Sequence, residues 1–258
     1  MTSLIDLNAD CGESFGAWPM GNDETVLALV TSANIACGFH AGDPQVMART
    51  CEIAKRHGVS IGAHPGLPDL QGFGRRPMPL SETEIETLVA YQIGALQAIA
   101  ARAGIAVAHV KAHGALYNMA ERDPIVAGAI ARAVKAVDPR LILIAGSGSP
   151  LVAAAETAGL RFAAEGFPDR AYTDDGLLMS RKLPGAVIHD PEVAAAQAVR
   201  MAAGEILTIG GRILRRPVQT LCIHGDEPTA SVVATAVRAA LLGAGIRVAV
   251  LPEVLNAG

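Results

Sequence analysis

The sequence is poor in aromatic and charged residues. Only 3% of its 258 residues are aromatic and 18% are charged, below the ~25% charged residues usual in soluble domains. The core must therefore be built from aliphatic residues and alanine, and the hydrophobic content of 51% is large enough for that. The net charge is −4 without a basic block, so nucleic-acid binding through a phosphate-neutralising surface is not expected.

Other absences concern where the protein works and what it binds. No apolar run approaches the ~18 residues of a membrane span, and the opening MTSLIDLNAD lacks the basic residues of a secretory signal. The four cysteines form no C-x-x-C pair, which predicts reduced thiols and a cytoplasmic protein without membrane contact. No G-x-x-x-x-G-K-[ST] motif occurs, so a Walker-type ATP site is not visible.

The sequence does contain a regular alternation of strand-like and helix-like segments. Its length is close to the roughly 250 residues of a β/α barrel. The repeated units predict an α/β fold with a seven- or eight-stranded barrel, formed by one domain over residues 1–258. A small β-hairpin is predicted near 205–216. The long loops 65–79 and 166–184 are expected to be functional or mobile.

Capping residues place several helices. Asp43 and Pro44 predict the start of a helix that Gly58 ends. Ser81-x-x-Glu84 is a capping box and predicts the start of a long helix. Residues 23–30 are also predicted to be helical.

Most predicted strands end in residues that can do chemistry. In chain order these are Asn8 and Asp10, Cys37 and His40, His64, Lys111 and His113, the turn Gly146–Ser149, Glu165, and His224 and Asp226. A β/α barrel gathers the carboxyl ends of its strands on one face, where the active sites of such barrels lie. The pattern therefore predicts an enzyme.

Lys111-Ala-His113-Gly114 is the most specific local signal. If the strand continues through His113, both side chains point into the barrel mouth. A buried lysine is costly unless it is paired, and at this location it can stabilise an oxyanion. Tyr117 is expected to line the same pocket.

Acids and histidines at the strand ends are candidates for acid–base or metal chemistry. Asp10 and Asp226 are candidate general bases, although Asp10 can also form a turn. Glu13 follows Asp10 and has only its loop position to support a role. No metal site is assigned. If a divalent ion is bound, Asp10, His40 and His64 are the expected ligands, a set that suits zinc or a related ion.

The candidate substrate-binding residues share positions at strand ends or in the long second loop. They are Asn8, His40, His64, Tyr117, Glu165, Arg181 and His224. Arg181 can grip a substrate carboxylate, and a solvated lid is the alternative interpretation of its loop. The turn Gly146–Ser149 begins a helix and can hold an anion on its backbone N–H groups. His64 can also be a core histidine that bonds to the backbone.

Strings along nearly the whole chain resemble the LamB/YcsF family. They are DLNADCGESFG, NIACGFHAGDP, IGAHPGLPD, FGRR, HVKAHGALYN, EGFPDRAY and CIHGD. The resemblance implies a barrel of the glycoside hydrolase/deacetylase superfamily. It also implies one subunit of an ATP-dependent 5-oxoprolinase, which opens 5-oxo-L-proline (pyroglutamate) to L-glutamate together with two partner subunits, PxpB and PxpC.

The leading hypothesis is therefore the hydrolytic subunit of such an enzyme. Asp10 or Asp226 would activate water, while Lys111 and His113 would stabilise the oxyanion and the leaving group. ATP would be used by the complex, because this chain shows no nucleotide motif. One alternative is a metal-dependent deacetylase that acts alone on N-acetyl sugars. Another is a non-catalytic protein that binds lactams or carbohydrates, and a homo-oligomer stays open in every case.

Overall fold

A computed structural model describes residues 3–223 and 230–257 of the chain. Its strands are β1 (Leu4–Cys11), β2 (Ser32–Ala36), β3 (Ser60–His64), β4 (Val107–Lys111), β5 (Ile142–Gly146), β6 (Phe162–Gly166), β7 (Glu205–Leu207), β8 (Ile213–Arg215), β9 (Thr220–Ile223) and β10 (Arg247–Val248). Strands β1 to β6 and β9 form a parallel sheet, and β1 pairs with both β2 and β9. The sheet is therefore a closed seven-stranded barrel, which confirms the predicted fold class.

Helices connect most of the strands and surround the barrel. They are α1 (Asp23–Leu27), α2 (Pro44–His57), α3 (Glu82–Ala103), α4 (Gly114–Ala120), α5 (Pro124–Val137), α6 (Pro150–Ala158), α7 (Pro191–Ala202), α8 (Ala230–Gly243) and α9 (Leu251–Ala257). Within the described ranges, no helix combines the length and the apolar character that crossing a bilayer requires. Strands β7 and β8 form the predicted antiparallel hairpin.

The predicted caps are present. The Asp43 carboxylate accepts hydrogen bonds from the backbone N–H groups of Gln45 and Val46. Gly58 ends α2 in the left-handed conformation that glycine adopts without strain. Ser81 and Glu84 form the reciprocal capping box of α3. These local signals fix where the helices begin and therefore which strand ends precede them.

One local prediction is wrong, and the condition that β4 continues through His113 is not met. Helix α1 ends at Leu27 and not at residue 30, because the chain turns into the sheet and the Thr31 N–H donates to the Leu7 carbonyl. Strand β4 ends at Lys111 and does not continue to His113. The His113 N–H donates to the Pro65 carbonyl instead, and α4 begins at the next residue.

The barrel interior is polar along one face of β1. Asp6, Asn8 and Asp10 alternate with Ile5, Leu7 and Ala9, which belong to the apolar core. Asp6 accepts hydrogen bonds from the hydroxyls of Thr31, Ser32 and Thr220. Asn8 bonds to Glu165, Thr220 and Asn34. A ladder of hydrogen-bonded polar groups thus leads along β1 to the carboxyl end of the barrel.

Candidate active site

A cavity of about 380 Å³ opens at the carboxyl ends of the strands. Asp10, His64, Lys111, His113 and Tyr117 line it from the barrel side, and the segment Leu178–Lys182 lines it from the long second loop. Its cationic lining residues are Arg75, Lys111, Arg122, Arg170, Arg181 and Lys182. Asp10 is the one carboxylate among the described lining residues. The cavity therefore has the size of a small-molecule site and a lining that favours anions.

Lys111 lies at the floor of the cavity and is 2% exposed. Its Nζ is 2.8 Å from Glu165 Oε1 and 3.2 Å from Asp10 Oδ1, and it donates to the Cys222 thiol and to the Asn8 side-chain carbonyl. Burial alone would lower the pKa of Lys111, but the carboxylates of Asp10 and Glu165 raise it well above its ordinary value. The site thus holds a fixed, charged ammonium group.

Glu165 links this ammonium group to Tyr117. It is fully buried and accepts hydrogen bonds from the Asn8 amide and from the Tyr117 hydroxyl, 3.1 Å from Glu165 Oε2. Burial raises the pKa of Tyr117, and the nearby carboxylates raise it further. Tyr117 therefore stays protonated and acts as a donor that orients Glu165.

Three histidines pack together beside the ammonium group. The rings of His40 and His113 are stacked with centroids 3.7 Å apart, and His64 meets His113 edge-on. Glu13 Oε1 lies 3.9 Å from His40 Nε2 and 3.8 Å from His113 Nδ1. One potential ligand atom from each of Glu13, His40, His64 and His113 can be chosen so that all four lie within 4.8 Å of one another, an arrangement that can hold a metal ion.

Unusual backbone positions make room for these rings. A Cβ on Gly74 would lie 2.7 Å from His40 Cβ and 2.9 Å from His113 Cδ2, so no other residue fits without displacing them. The preceding Phe73 has a positive φ of 55°, which is uncommon for a bulky residue, and its carbonyl accepts a hydrogen bond from His113 Nε2. The first long loop therefore positions His113 through backbone strain.

Burial keeps His40 and His113 neutral. It lowers the pKa of His40 well below its ordinary value and that of His113 to about 3, and neighbouring histidines add to both effects. A neutral imidazole has one donor and one acceptor nitrogen, so each ring has a lone pair for hydrogen bonding or ligation.

The structure brings most of the predicted site residues together. Asp10, His64, Lys111, His113, Tyr117 and Arg181 line the cavity, while Asn8, His40 and Glu165 lie directly behind it and contact the lining residues. His224 and Asp226 lie outside the described residues. His113 faces His64, 3.0 Å away, and not Lys111 as the predicted strand would require.

The conditional metal set of Asp10, His40 and His64 shares two residues with this group of four. Asp10 is not among the four side chains; its Oδ1 pairs with Lys111 and accepts from Asn34, and its Oδ2 lies 3.3 Å from His64 Nε2. Glu13 takes part instead, since Gly12, with a φ of 67°, turns the chain directly after β1. His113 completes the group. The N-x-D-x-x-E run, with Gly12 directly before Glu13, was the signal for Glu13, but spacing alone does not specify the direction of the turn.

The turn Gly146–Ser149 is already occupied by a side chain of the protein. A Cβ on Gly146 would lie 2.5 Å from Glu121 Oε2, so the Glu121 carboxyl group fills the concave side of the turn. Burial raises the pKa of Glu121 to about 7. Sequence reasoning missed Glu121, because it follows an unpredicted helix, and it also missed Arg75, Arg122 and Cys222.

Comparisons with known proteins show which family the chain is similar to. The LamB/YcsF family model matches residues 5–256. The A subunit of 5-oxoprolinase from Rhodopseudomonas palustris (strain BisB5) is 57% identical over 92% of this chain and 94% of its own length. The solved structure of a lactam utilization protein from Thermus thermophilus is 50% identical and superposes with a TM-score of 0.90, covering 95% of this chain and 98% of the other.

A more distant likeness concerns the fold alone. The solved structure of a deacetylase with substrate superposes with a TM-score of 0.54 at 14% identity, covering 99% of this chain and 92% of the other. The barrel is therefore shared with deacetylases, whereas the family model and the identity of 50% or more extend over nearly the whole chain. The chain belongs to the LamB/YcsF family.

Proposed function

We propose that this chain is the hydrolytic subunit of an ATP-dependent 5-oxoprolinase that opens 5-oxo-L-proline to L-glutamate. The observation that supports this most is the ammonium group of Lys111, which Asp10 and Glu165 hold in a buried position at the floor of a cationic cavity. Relatives similar over almost their whole length carry the name of the A subunit of 5-oxoprolinase. That name describes one part of a multi-subunit enzyme.

The cavity suits the substrate in charge and size. 5-Oxoproline is a five-membered lactam with one carboxylate, and Arg181 on the second long loop is our candidate for binding that carboxylate. The remaining cations of the lining are suited to a phosphoryl group on an activated lactam. Activation of this kind helps because an amide is a stable bond and a phosphorylated oxygen is a better leaving group.

The side chains suggest how the ring opens. Asp10 accepts a proton from a water molecule, whose oxygen adds to the ring carbonyl carbon. The ammonium group of Lys111 stabilises the negative charge that develops on the carbonyl oxygen. The ring C–N bond then breaks, and the nitrogen leaves as an amine with the proton that Asp10 took up. A second water molecule cleaves the resulting acyl phosphate to the side-chain carboxylate of glutamate and inorganic phosphate. Asn8 and Glu165 keep Lys111 in place throughout.

Activation by ATP belongs, in this proposal, to partner subunits of the PxpB and PxpC type. The absence of a Walker motif in the sequence supports that division. All four cysteines are buried free thiols, which supports the proposed cytoplasmic location of the complex.

Reconstitution tests the proposal. The purified chain, PxpB, PxpC, ATP and 5-oxoproline should together yield glutamate, and omission of any protein should abolish it. The matched positive control replaces this chain with the Rhodopseudomonas palustris relative. If the control makes glutamate with the same partners and this chain does not, the proposed function is wrong.

A stand-alone deacetylase is the second candidate function. The group of three histidines and one glutamate that can hold a metal ion favours it, together with the barrel shared with a deacetylase. This candidate predicts acetate release from an N-acetyl sugar by the chain alone, without ATP. We expect no such release, and acetate formed at rates comparable to glutamate formation would reverse the order of the two candidates.

A further inference from the structure

We propose that Glu13, His40, His64 and His113 bind one divalent transition-metal ion of the zinc class at the floor of the cavity. The proposal deepens the proposed function and rests on it for the purpose of the ion. The ion-binding site itself rests on the geometry of the four side chains alone.

The hydrogen bonds of His64 and His113 leave two lone pairs facing each other. His64 Nδ1 is 2.7 Å from the Lys111 carbonyl oxygen, and His113 Nε2 is 2.8 Å from the Phe73 carbonyl oxygen. A carbonyl only accepts hydrogen bonds, so both of these nitrogens carry the ring hydrogen. In the imidazole form of each ring the other nitrogen, His64 Nε2 or His113 Nδ1, is then an acceptor, and these two atoms lie only 3.0 Å apart.

Two acceptors at this distance repel each other unless a cation lies beside both. Both nitrogens can reach one metal ion at the usual Zn–N distance of about 2.1 Å, because they are closer together than twice that distance. The two carbonyls supply the outer hydrogen bonds that orient metal-binding histidines in proteins and fix their tautomers. The arrangement therefore has the form of a preorganised ligand pair.

His40 and Glu13 complete the set. His40 is fully buried, yet neither of its ring nitrogens has a hydrogen-bond partner, which is a costly state for a buried polar group. Its Nε2 lies 3.9 Å from Glu13 Oε1, too far for a hydrogen bond. A cation between the two would give the buried imidazole a partner and would lie against the carboxylate.

The donor set determines the class of ion. Three imidazoles and one carboxylate suit zinc or a neighbouring divalent transition metal, whereas Mg²⁺ and Ca²⁺ prefer oxygen ligands. Such an ion supplies Lewis acidity and lowers the pKa of a water molecule that it binds. The nearest lining carboxylate, Asp10, has its Oδ2 3.3 Å from His64 Nε2 and can accept a proton at that location.

A proton is the alternative to a metal ion between His64 and His113. One proton shared by His64 Nε2 and His113 Nδ1 would relieve their repulsion. It would also face Asp10 Oδ2, which lies 3.3 Å from His64 Nε2, but it would leave both ring nitrogens of His40 without a hydrogen-bond partner. A metal ion would engage His40 as well.

Metal analysis of the isolated full chain tests the proposal. We expect the chain, purified without chelators and loaded with Zn²⁺, to retain about one equivalent after gel filtration. Co²⁺ in place of Zn²⁺ should give the visible absorption bands of a nitrogen-rich site. Glu13→Gln and His113→Ala should each lower the Zn²⁺ affinity at least about tenfold. His189→Ala, which removes a histidine remote from the four ligands in the sequence, is the matched control and should bind like the wild type.

Melting curves distinguish loss of Zn²⁺ binding from loss of the fold in the variants. Zn²⁺ should raise the melting temperature of the wild type more than that of Glu13→Gln, a near-isosteric change that retains the fold. Wild-type retention below a tenth of an equivalent in excess Zn²⁺ would overturn the proposal, as would equal affinity in the wild type and both ligand variants. An imidazolium signal from His64 or His113 at neutral pH in nitrogen-15 spectra would assign the space to a proton instead.

The outcome is separable from that of the proposed function. Zn²⁺ binding is measured on the chain alone, while glutamate formation requires the partners. A chain that binds Zn²⁺ but makes no glutamate would remove the function and retain the metal site. A chain that makes glutamate at full rate but binds no Zn²⁺ would retain the function and remove the metal site.

Discussion

At the residue scale, the strand-end lysine was predictable and its partners were only partly so. A lysine at the end of a buried strand must be paired with an acid, because an unpaired buried ammonium group is too costly. Asp10 and Glu165 could be named as candidates from their own strand ends. The Cys222 thiol, which accepts from Lys111 at 2.9 Å, could not, because it lies within a strand whose inward face depends on the closure of the barrel.

Arg181 provides a test of substrate binding. In the reconstituted system, Arg181→Ala should raise the KM for 5-oxoproline about tenfold or more, because a hydrogen bond to a charged group contributes about 1.5–3 kcal/mol. The kcat should change much less, since this residue contacts the carboxylate and not the ring carbonyl. Arg140→Ala, at an exposed ion pair with Asp138, is the control. An unchanged KM in Arg181→Ala would remove the residue from the site.

Asp6 makes a prediction about stability and pH. Burial raises its pKa to about 6 in the folded chain, against about 4 in an unfolded one. The folded state therefore binds this proton more tightly, so the contribution of Asp6 to the free energy of unfolding decreases as the pH rises from about 4 to 6. The shift of about two pKa units corresponds to about 3 kcal/mol.

The variant Asp6→Asn isolates that contribution. Relative to the wild type, it should gain up to about 3 kcal/mol in free energy of unfolding between pH 4 and pH 7, measured in urea at several pH values. Asp190→Asn is the control, because it replaces an exposed helix cap with another good cap. A difference between Asp6→Asn and the wild type that does not change with pH would show that Asp6 ionises normally in the fold.

At the scale of elements, capping residues predicted the helix ends that are determined by contacts within a few residues. Asp43, Ser81 and the glycines that end α2 and α3 act within a few residues, so the sequence places those helix ends correctly. Strand β10 pairs two residues with the start of β1, and no periodicity can arise in so short a segment. Whether β4 continues to His113 could not be read from the sequence, because a distant carbonyl, that of Pro65, accepts a hydrogen bond from the His113 N–H.

The two long loops should respond to the partner subunits. Arg75 belongs to the first loop and Leu178–Lys182 to the second, and both line the cavity. An activated, water-sensitive lactam must enter between them, so binding of the partners should slow hydrogen exchange of the backbone amides in 65–79 and 166–184. An unrelated protein at equal mass is the control. Unchanged exchange in both loops, under conditions where the complex makes glutamate, would contradict this arrangement.

At the scale of the whole molecule, the alternation of strands and helices predicted a barrel, because parallel strands joined by helices have few ways to bury both faces. Seven strands close it. The pattern could not predict the polar interior along β1, because barrel interiors are usually filled by branched apolar side chains. The prediction of one domain over residues 1–258 stays a prediction.

The central claim is that lactam opening takes place in the cavity of this chain, with Lys111 at its centre. Glutamate formation by Lys111→Ala in the reconstituted system tests it most directly, with co-elution of the partners and the melting curve measured on the same sample. We predict a folded, partner-binding variant whose glutamate formation is lower by at least ~100-fold, as expected when an oxyanion-stabilising group is lost. Glutamate formation at the wild-type rate would contradict the claim and would make the chain a binding scaffold.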